Sequence, residues 1–183
     1  MSAGPQASIG LLSNSGEIDG AVDLLGGSGD TLDNLGSISG NIALAGGDTF
    51  DNQGQVYGDV TLAGGDTLID TGLIHGDVTL GQADSFDASQ GGVAGTTGAR
   101  SGDLFEFGSH FGAEKIDNFT AGHGTAHDTL EFATSDFANC AALTSGAMSQ
   151  AGSGVLIRLD ATDSITLSHV SLSSLVSADF KFG

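Results

Sequence analysis

Aspartate returns at a fixed place in an eighteen-residue period: Asp30, Asp48, Asp66 and Asp84. A second set, Asp33, Asp51 and Asp87, follows three residues behind, with Ile69 filling the third coil's place. Residues at a fixed repeat position become columns when the coils of an array stack. Carboxylates one strand spacing apart, about 4.8 Å, suit one kind of chemistry. Two such charges repel by roughly 1 kcal/mol in water and by several times that near a protein surface. Residues 1–99 contain no Lys or Arg to offset the repulsion. A divalent cation removes it, and calcium accepts roughly six to eight oxygens from carboxylates and backbone carbonyls in flexible geometry. All seven aspartates are therefore candidate Ca2+ ligands. The competing reading is a set of solvated turn formers that fan outward.

Other reactive groupings are thin. His123 and His127 stand four apart before Asp128, a spacing that binds zinc on a helix. Gly122 and Gly124 argue for a loop instead. Cys140 is the only cysteine, so no internal disulfide forms. No Gly-x-Ser-x-Gly elbow occurs, and no Lys or Arg sits among the repeats to act as a lyase base. The expectation is a protein that is not an enzyme.

The elements that position the aspartates follow from the same period. Apolar residues recur two, eight, twelve and fourteen positions after each first-column aspartate. They are Leu32, Ile38, Ile42, Leu44, then Phe50, Val56, Val60, Leu62, then Leu68, Ile74, Val78, Leu80. Leu12, Ile18, Val22 and Leu24 fit with a two-residue insertion, and a further coil begins at Phe86. The alternation in Val60-Thr61-Leu62 is strand periodicity. Glycines 36, 54, 72 and 40, 58, 76 mark corners that need positive φ or close backbone approach. Asn34, Asn52 and Asp70 form a further column, read as a side-chain hydrogen-bond ladder at a turn. The pattern predicts an all-β fold, a parallel β-solenoid (β-roll or β-helix-like) of two or three short strands per coil over residues 8–97.

From about residue 98 the period is lost, and a mixed, mainly β cap is expected over residues 98–183. Phe137 to Met148 has helical spacing, Val155–Leu159 and Ile165–Leu167 read as strands, and Ser171–Val176 as a helical turn. The formal charge of −19 repels nucleic acid and anionic membranes and attracts cations. Met1-Ser2-Ala3-Gly4-Pro5 lacks a basic region followed by an apolar core, so no cleaved leader is visible. No stretch is long and apolar enough to span a bilayer.

Ala45-Gly46-Gly47-Asp48-Thr49-Phe50 and Ala63-Gly64-Gly65-Asp66-Thr67-Leu68 resemble the nonapeptide of the RTX (repeats-in-toxin) calcium-binding proteins. Two nonapeptides make one eighteen-residue coil. Both segments lack the leading glycine pair, and Leu25 to Asp30 is out of register by one, which implies fewer sites than a regular array. The second half is similar to the C-terminal region of such proteins that leave Gram-negative cells by type I export. The matching run is Asp103-x-Phe105-x-Phe107, Phe111-Gly112, Ile116-x-Asn118-Phe119, Asp128-x-Leu130-x-Phe132 and Val155-x-Ile157-x-Leu159-Asp160. It continues with Asp163 to Leu167, Val170-x-Leu172-x-x-Leu175 and Asp179-Phe180-x-Phe182. The resemblance implies a secreted protein, extracellular or on the cell surface, with calcium ions and a type I exporter as partners and an uncleaved C-terminal address. No nucleic-acid partner and no membrane insertion are expected, whereas a surface polysaccharide ligand or self-association stays open. The alternatives are a calcium-independent surface or adhesive solenoid and the tail of a larger secreted enzyme.

Overall fold

The computed structural model describes residues 8–88, 90–93, 95–108 and 110–183. The Met1–Pro5 stretch read for a leader lies outside them. Each regular coil contributes three short strands, and these stack in parallel within three sheets of eight, five and nine strands. The second coil is Thr31–Asn34, Ser37–Ile38 and Ile42–Leu44; the third is Thr49–Asn52, Gln55–Val56 and Val60–Leu62; the fourth is Thr67–Asp70, Leu73–Ile74 and Val78–Thr79. Register is locked residue for residue, as in Leu32↔Phe50 and Phe50↔Leu68. The solenoid predicted from the period is therefore the fold, with three strands per coil.

Alternation decides which side chains fill the interior. In Thr49–Asn52, Phe50 and Asn52 turn inward while Thr49 and Asp51 lie at the outer face. The predicted apolar positions from Leu32 to Leu80 are all buried, and Phe86, Phe105, Leu130 and Phe180 continue the Phe50 file. Burying such side chains contributes roughly 1.5–3 kcal/mol each, and no single coil could do it alone.

The glycine corners work by close approach. A Cβ at Gly54 would lie 2.0 Å from the Gly36 carbonyl oxygen, and one at Gly72 would lie 2.1 Å from that of Gly54. The backbone of one coil is the wall of the next, so no side chain fits.

The expected division near residue 97 runs through continuous sheets. Leu104–Phe107, Thr129–Phe132 and Phe180–Phe182 extend the eight-stranded sheet in parallel register. Ala113–Asp117 and Ser164–Leu167 extend the nine-stranded one. The strand periodicity outlasts the eighteen-residue spacing because the connections lengthen while the sheets go on. The array then changes hand-over: Gly154–Arg158 and Met148–Ala151 add as antiparallel strands and close the edge of the nine-stranded sheet. The helix expected over Phe137–Met148 shrinks to Cys140–Thr144, capped by Asn139, whose Oδ1 accepts the Ala142 N–H at 3.0 Å. Met148 is taken by the antiparallel hairpin, so tertiary pairing overrides helical spacing there. Ser171–Val176 holds a single 3-10 turn, Leu172–Ser174.

Candidate functional site

The first-column aspartates are buried. Asp30, Asp48, Asp66 and Asp84 are at most 2% exposed. Each carboxylate reaches back to the preceding coil and accepts a backbone N–H from the aspartate there. Asp30 N–H donates to Asp48 Oδ1 at 2.9 Å, Asp48 to Asp66 at 2.7 Å, and Asp66 to Asp84 at 2.9 Å. The chain continues past the predicted set: Asp84 donates to Asp103 at 3.0 Å and Asp103 to Asp128 at 2.9 Å. At its head, Asp30 accepts the Gly10 N–H and the Ser8 hydroxyl. This is a ladder of charge-assisted hydrogen bonds that secures amides at a corner no strand pairing reaches.

The second oxygens divide the column. Gly64 N–H reaches Asp66 Oδ2 at 3.1 Å, Gly81 reaches Asp84 at 2.5 Å, Arg100 reaches Asp103 at 2.9 Å and Thr120 reaches Asp128 at 2.7 Å. Asp30 Oδ2 and Asp48 Oδ2 are buried and have no hydrogen-bond partner among the described residues. Burial raises the Asp84, Asp103 and Asp128 pKa values above the ordinary carboxylate range, and neighbouring carboxylates add to the rise at Asp84 and Asp103. Asp30 moves the other way, lowered chiefly by the Ser8 hydroxyl.

The second column lies half-buried on the outer face of the eight-stranded sheet. Asp33 pairs in register with Asp51, Ile69 intervenes, and Asp87 follows. Glu106 and Glu131 then extend the row, with Lys181 opposite Glu131 at its end. The sequence reading stopped at Asp87 and missed these two glutamates. Their signal was present: Asp103-Leu104-Phe105-Glu106 and Asp128-Thr129-Leu130-Glu131 repeat the phrasing of Asp84-Ser85-Phe86-Asp87. Burial, with Asp87 and Glu131 on either side, raises the Glu106 pKa. Asp87, Glu106 and Glu131 line a shallow depression of about 220 Å³.

The asparagine column is a ladder as expected. Asn14 donates to Asn34 at 2.8 Å, Asn34 to Asn52 at 2.8 Å and Asn52 to Asp70 at 2.7 Å. Asn41, Asp59 and Asp77 form another, unanticipated ladder at an exposed corner. Asp59 N–H donates to Asn41 Oδ1 at 2.9 Å and Asp77 N–H to Asp59 Oδ1 at 2.9 Å. The eighteen-residue spacing of these three could have revealed it. His123 and His127 occupy the loop before Thr129–Phe132, and the His127 ring meets the Gly124 and Ala178 carbonyls.

For a divalent cation, the inner column offers only its two spare oxygens on Asp30 and Asp48. The outer row offers adjacent pairs of carboxylates at the surface. Among the described residues, no three His, Cys, Asp or Glu side chains are gathered into a ready-made metal cage. Among them, too, no helix is long and apolar enough to cross a membrane. The molecule is thus a parallel β-solenoid with stacked carboxylate columns. Comparison with protein-family models and with curated protein sequences returns no match.

Proposed function

We propose that this is a calcium-responsive β-solenoid of RTX-like kind, secreted by a type I exporter and acting by binding rather than catalysis. The observation that carries the reading is the outer row. Asp87, Glu106 and Glu131 are neighbours in strand register, and Lys181 stands opposite Glu131 at the end. Calcium bridging adjacent carboxylates would relieve their repulsion and tie successive strands together. Asp33 with Asp51, and the spare oxygens of Asp30 and Asp48, are further places for an ion. In the cytosol, where calcium is scarce, repulsion leaves the coils loose for export. Outside, ion binding adds to folding free energy. Residues 98–183 serve as cap and as export address.

A calcium titration followed by circular dichroism and calorimetry tests the reading. Calcium at millimolar level is expected to raise the Tm over that in chelator, and magnesium to raise it less because it demands tighter octahedral geometry. Identical melting curves in chelator and calcium would leave a calcium-independent surface solenoid. The observation favouring that second reading is the inner ladder, which is held by amides and needs no ion. Export is tested separately: deleting roughly the last 60 residues, from about Gly124 onward, should stop secretion through a type I exporter. Normal secretion of the truncated chain would leave residues 98–183 a cap only.

A further inference from the structure

The outward row of the nine-stranded sheet has a gap in it. Ala43, Thr61 and Thr79 follow one another in register, then Gly98, then Asp117. Backbone contact does not demand this glycine. A Cβ at Gly98 would meet only the Val78 carbonyl oxygen, at 3.7 Å. The missing side chain opens instead onto a hollow of about 520 Å³, which Gly98 and the buried Ala99 help to line. That size falls within the roughly 300–1,000 Å³ of small-molecule sites.

Thr79, Gln82, Arg100, Ser101 and Asn118 line the same hollow. It is unlike the rest of the surface. The chain has 23 acids against 4 bases, yet among the described residues no acid lines this hollow and one of the four bases does. Among the described residues, none of these five side chains has a hydrogen-bond or ion-pair partner. The Arg100 backbone is fixed at both ends: its N–H donates to Asp103 Oδ2 at 2.9 Å, and its carbonyl accepts the Thr120 hydroxyl at 3.0 Å. The guanidinium itself is unengaged. Asn118 sits in the left-handed region at φ 63°, which asparagine tolerates better than most residues. Its neighbour Asp117 has its charge offset by Lys115 at 3.0 Å.

Five idle polar groups around one hollow prescribe the chemistry of a ligand. An arginine fork matches a carboxylate with two parallel hydrogen bonds. Amide and hydroxyl side chains both donate and accept, as do the vicinal hydroxyls of a sugar. The net charge of −19 repels a dense polyanion, so one carboxylate among hydroxyls is what fits. We propose that this hollow binds an acidic sugar, a uronate unit, with its carboxylate on Arg100 and its hydroxyls on Thr79, Gln82, Ser101 and Asn118. The inference rests on the binding role proposed above and gives it a ligand class, but it does not rest on calcium.

An amide NMR titration of the full chain in chelator tests it. The probes are the methyl glycosides of glucuronate, galacturonate and mannuronate, with methyl glucoside and acetate as controls. Shifts from at least one uronate should gather at Gln82, Asn118 and residues 98–101. Arg100→Gln should weaken that uronate about tenfold or more. Gly98→Thr restores the residue of the two preceding coils and fills the hollow. It should abolish binding while leaving the Tm unchanged or higher. No response to any of the three uronates overturns the proposal. So does equal binding of methyl glucoside or acetate, or full affinity in Arg100→Gln. Should Gly98→Thr fail to fold, Arg100→Gln at its exposed position decides alone. Uronate binding that needs calcium and is unaltered in Arg100→Gln would assign the sugar to ions on the outer row and equally overturn it. A melting curve indifferent to calcium, with uronate bound in chelator, would sink the calcium reading and uphold this one.

Discussion

In the regular coils, buried aspartates form one unbroken chain along the solenoid axis; toward the C-terminus they work singly, as clasps. Asp48, Asp66 and Asp84 each accept an amide one coil away, and all those amides belong to the same corner. Asp163 instead ties down His110 and Gly112, and Asp179 ties Gly122 at 2.7 Å and Val176 at 2.8 Å. The bond is the same in both regions. What differs is the spacing of its partners, and that spacing makes one region repetitive and the other irregular. A repeated sequence is therefore not required for this chemistry; it is required only for stacking it.

The largest effect that separates the regions should come from glycine. Gly54→Ala drives a Cβ into the Gly36 carbonyl, whereas Gly146 has nothing within 4 Å of the same atom. The first substitution is expected to cost about 3 kcal/mol or more and to disorder the third coil, the second less than about 0.5 kcal/mol, both by chemical denaturation. Equal effects would mean that the coils are not held at backbone contact.

Next come the aspartates themselves. Asp66→Ala orphans the Asp48 and Gly64 amides, and Asp163→Ala orphans those of His110 and Gly112. Each should cost roughly 2–5 kcal/mol, since an unpaired buried donor costs about 1–3 kcal/mol. Hydrogen exchange should distinguish them. Protection should fall across several coils for Asp66→Ala but only around His110–Gly112 for Asp163→Ala. Asparagine at either site keeps one acceptor and should recover part of the loss.

Acid should help more than it harms. Asp70, Asp84, Asp103, Asp128 and Glu114 all have pKa values raised, with burial the largest cause. Folding takes up protons at these sites, so the Tm is expected to be higher near pH 5 than near pH 8. A Tm that rises steadily over that interval would contradict the burial of the ladder.

The smallest effect is expected at the outer row. In chelator, Asp51→Asn and Glu106→Gln should change stability by less than about 0.5 kcal/mol, or slightly increase it by relieving repulsion. With calcium added, Glu106→Gln should diminish the gain in Tm relative to the wild type. A full calcium response in that variant would move the ions to Asp30 and Asp48.

The period made the coil, the core positions and the asparagine ladder legible, because all three depend on residue type at a constant interval. Phe50 is recognisable as core from Leu32 and Leu68 on either side. The interior position of Asp48 was not legible. An aspartate beside glycines reads as solvated, and it is the stacking of coils that turns its carboxylate toward a neighbouring coil's amide. Glu114 was hidden for a different reason. It lies where the spacing has lapsed, and the Val93 amide that it accepts is distant in sequence. The motif aspartates Asp103, Asp128, Asp163 and Asp179 are all buried acceptors, so the ordered match of the second half has a sound packing explanation whatever its role in export.

The three corners of the coil are unequal, and that governs how such a molecule can be lengthened or decorated. At the glycine corner a carbonyl is the nearest neighbour, and nothing can be grafted there. Between Leu24 and Thr31 the chain already carries two residues more than between Leu44 and Thr49, yet the strands on both sides keep register. Leu25 stands 57% exposed in that stretch. For a protein engineer this corner is the port of the scaffold: a foreign peptide spliced there is displayed at a fixed height along the axis, and tandem coils would present copies at regular intervals, like teeth on a comb.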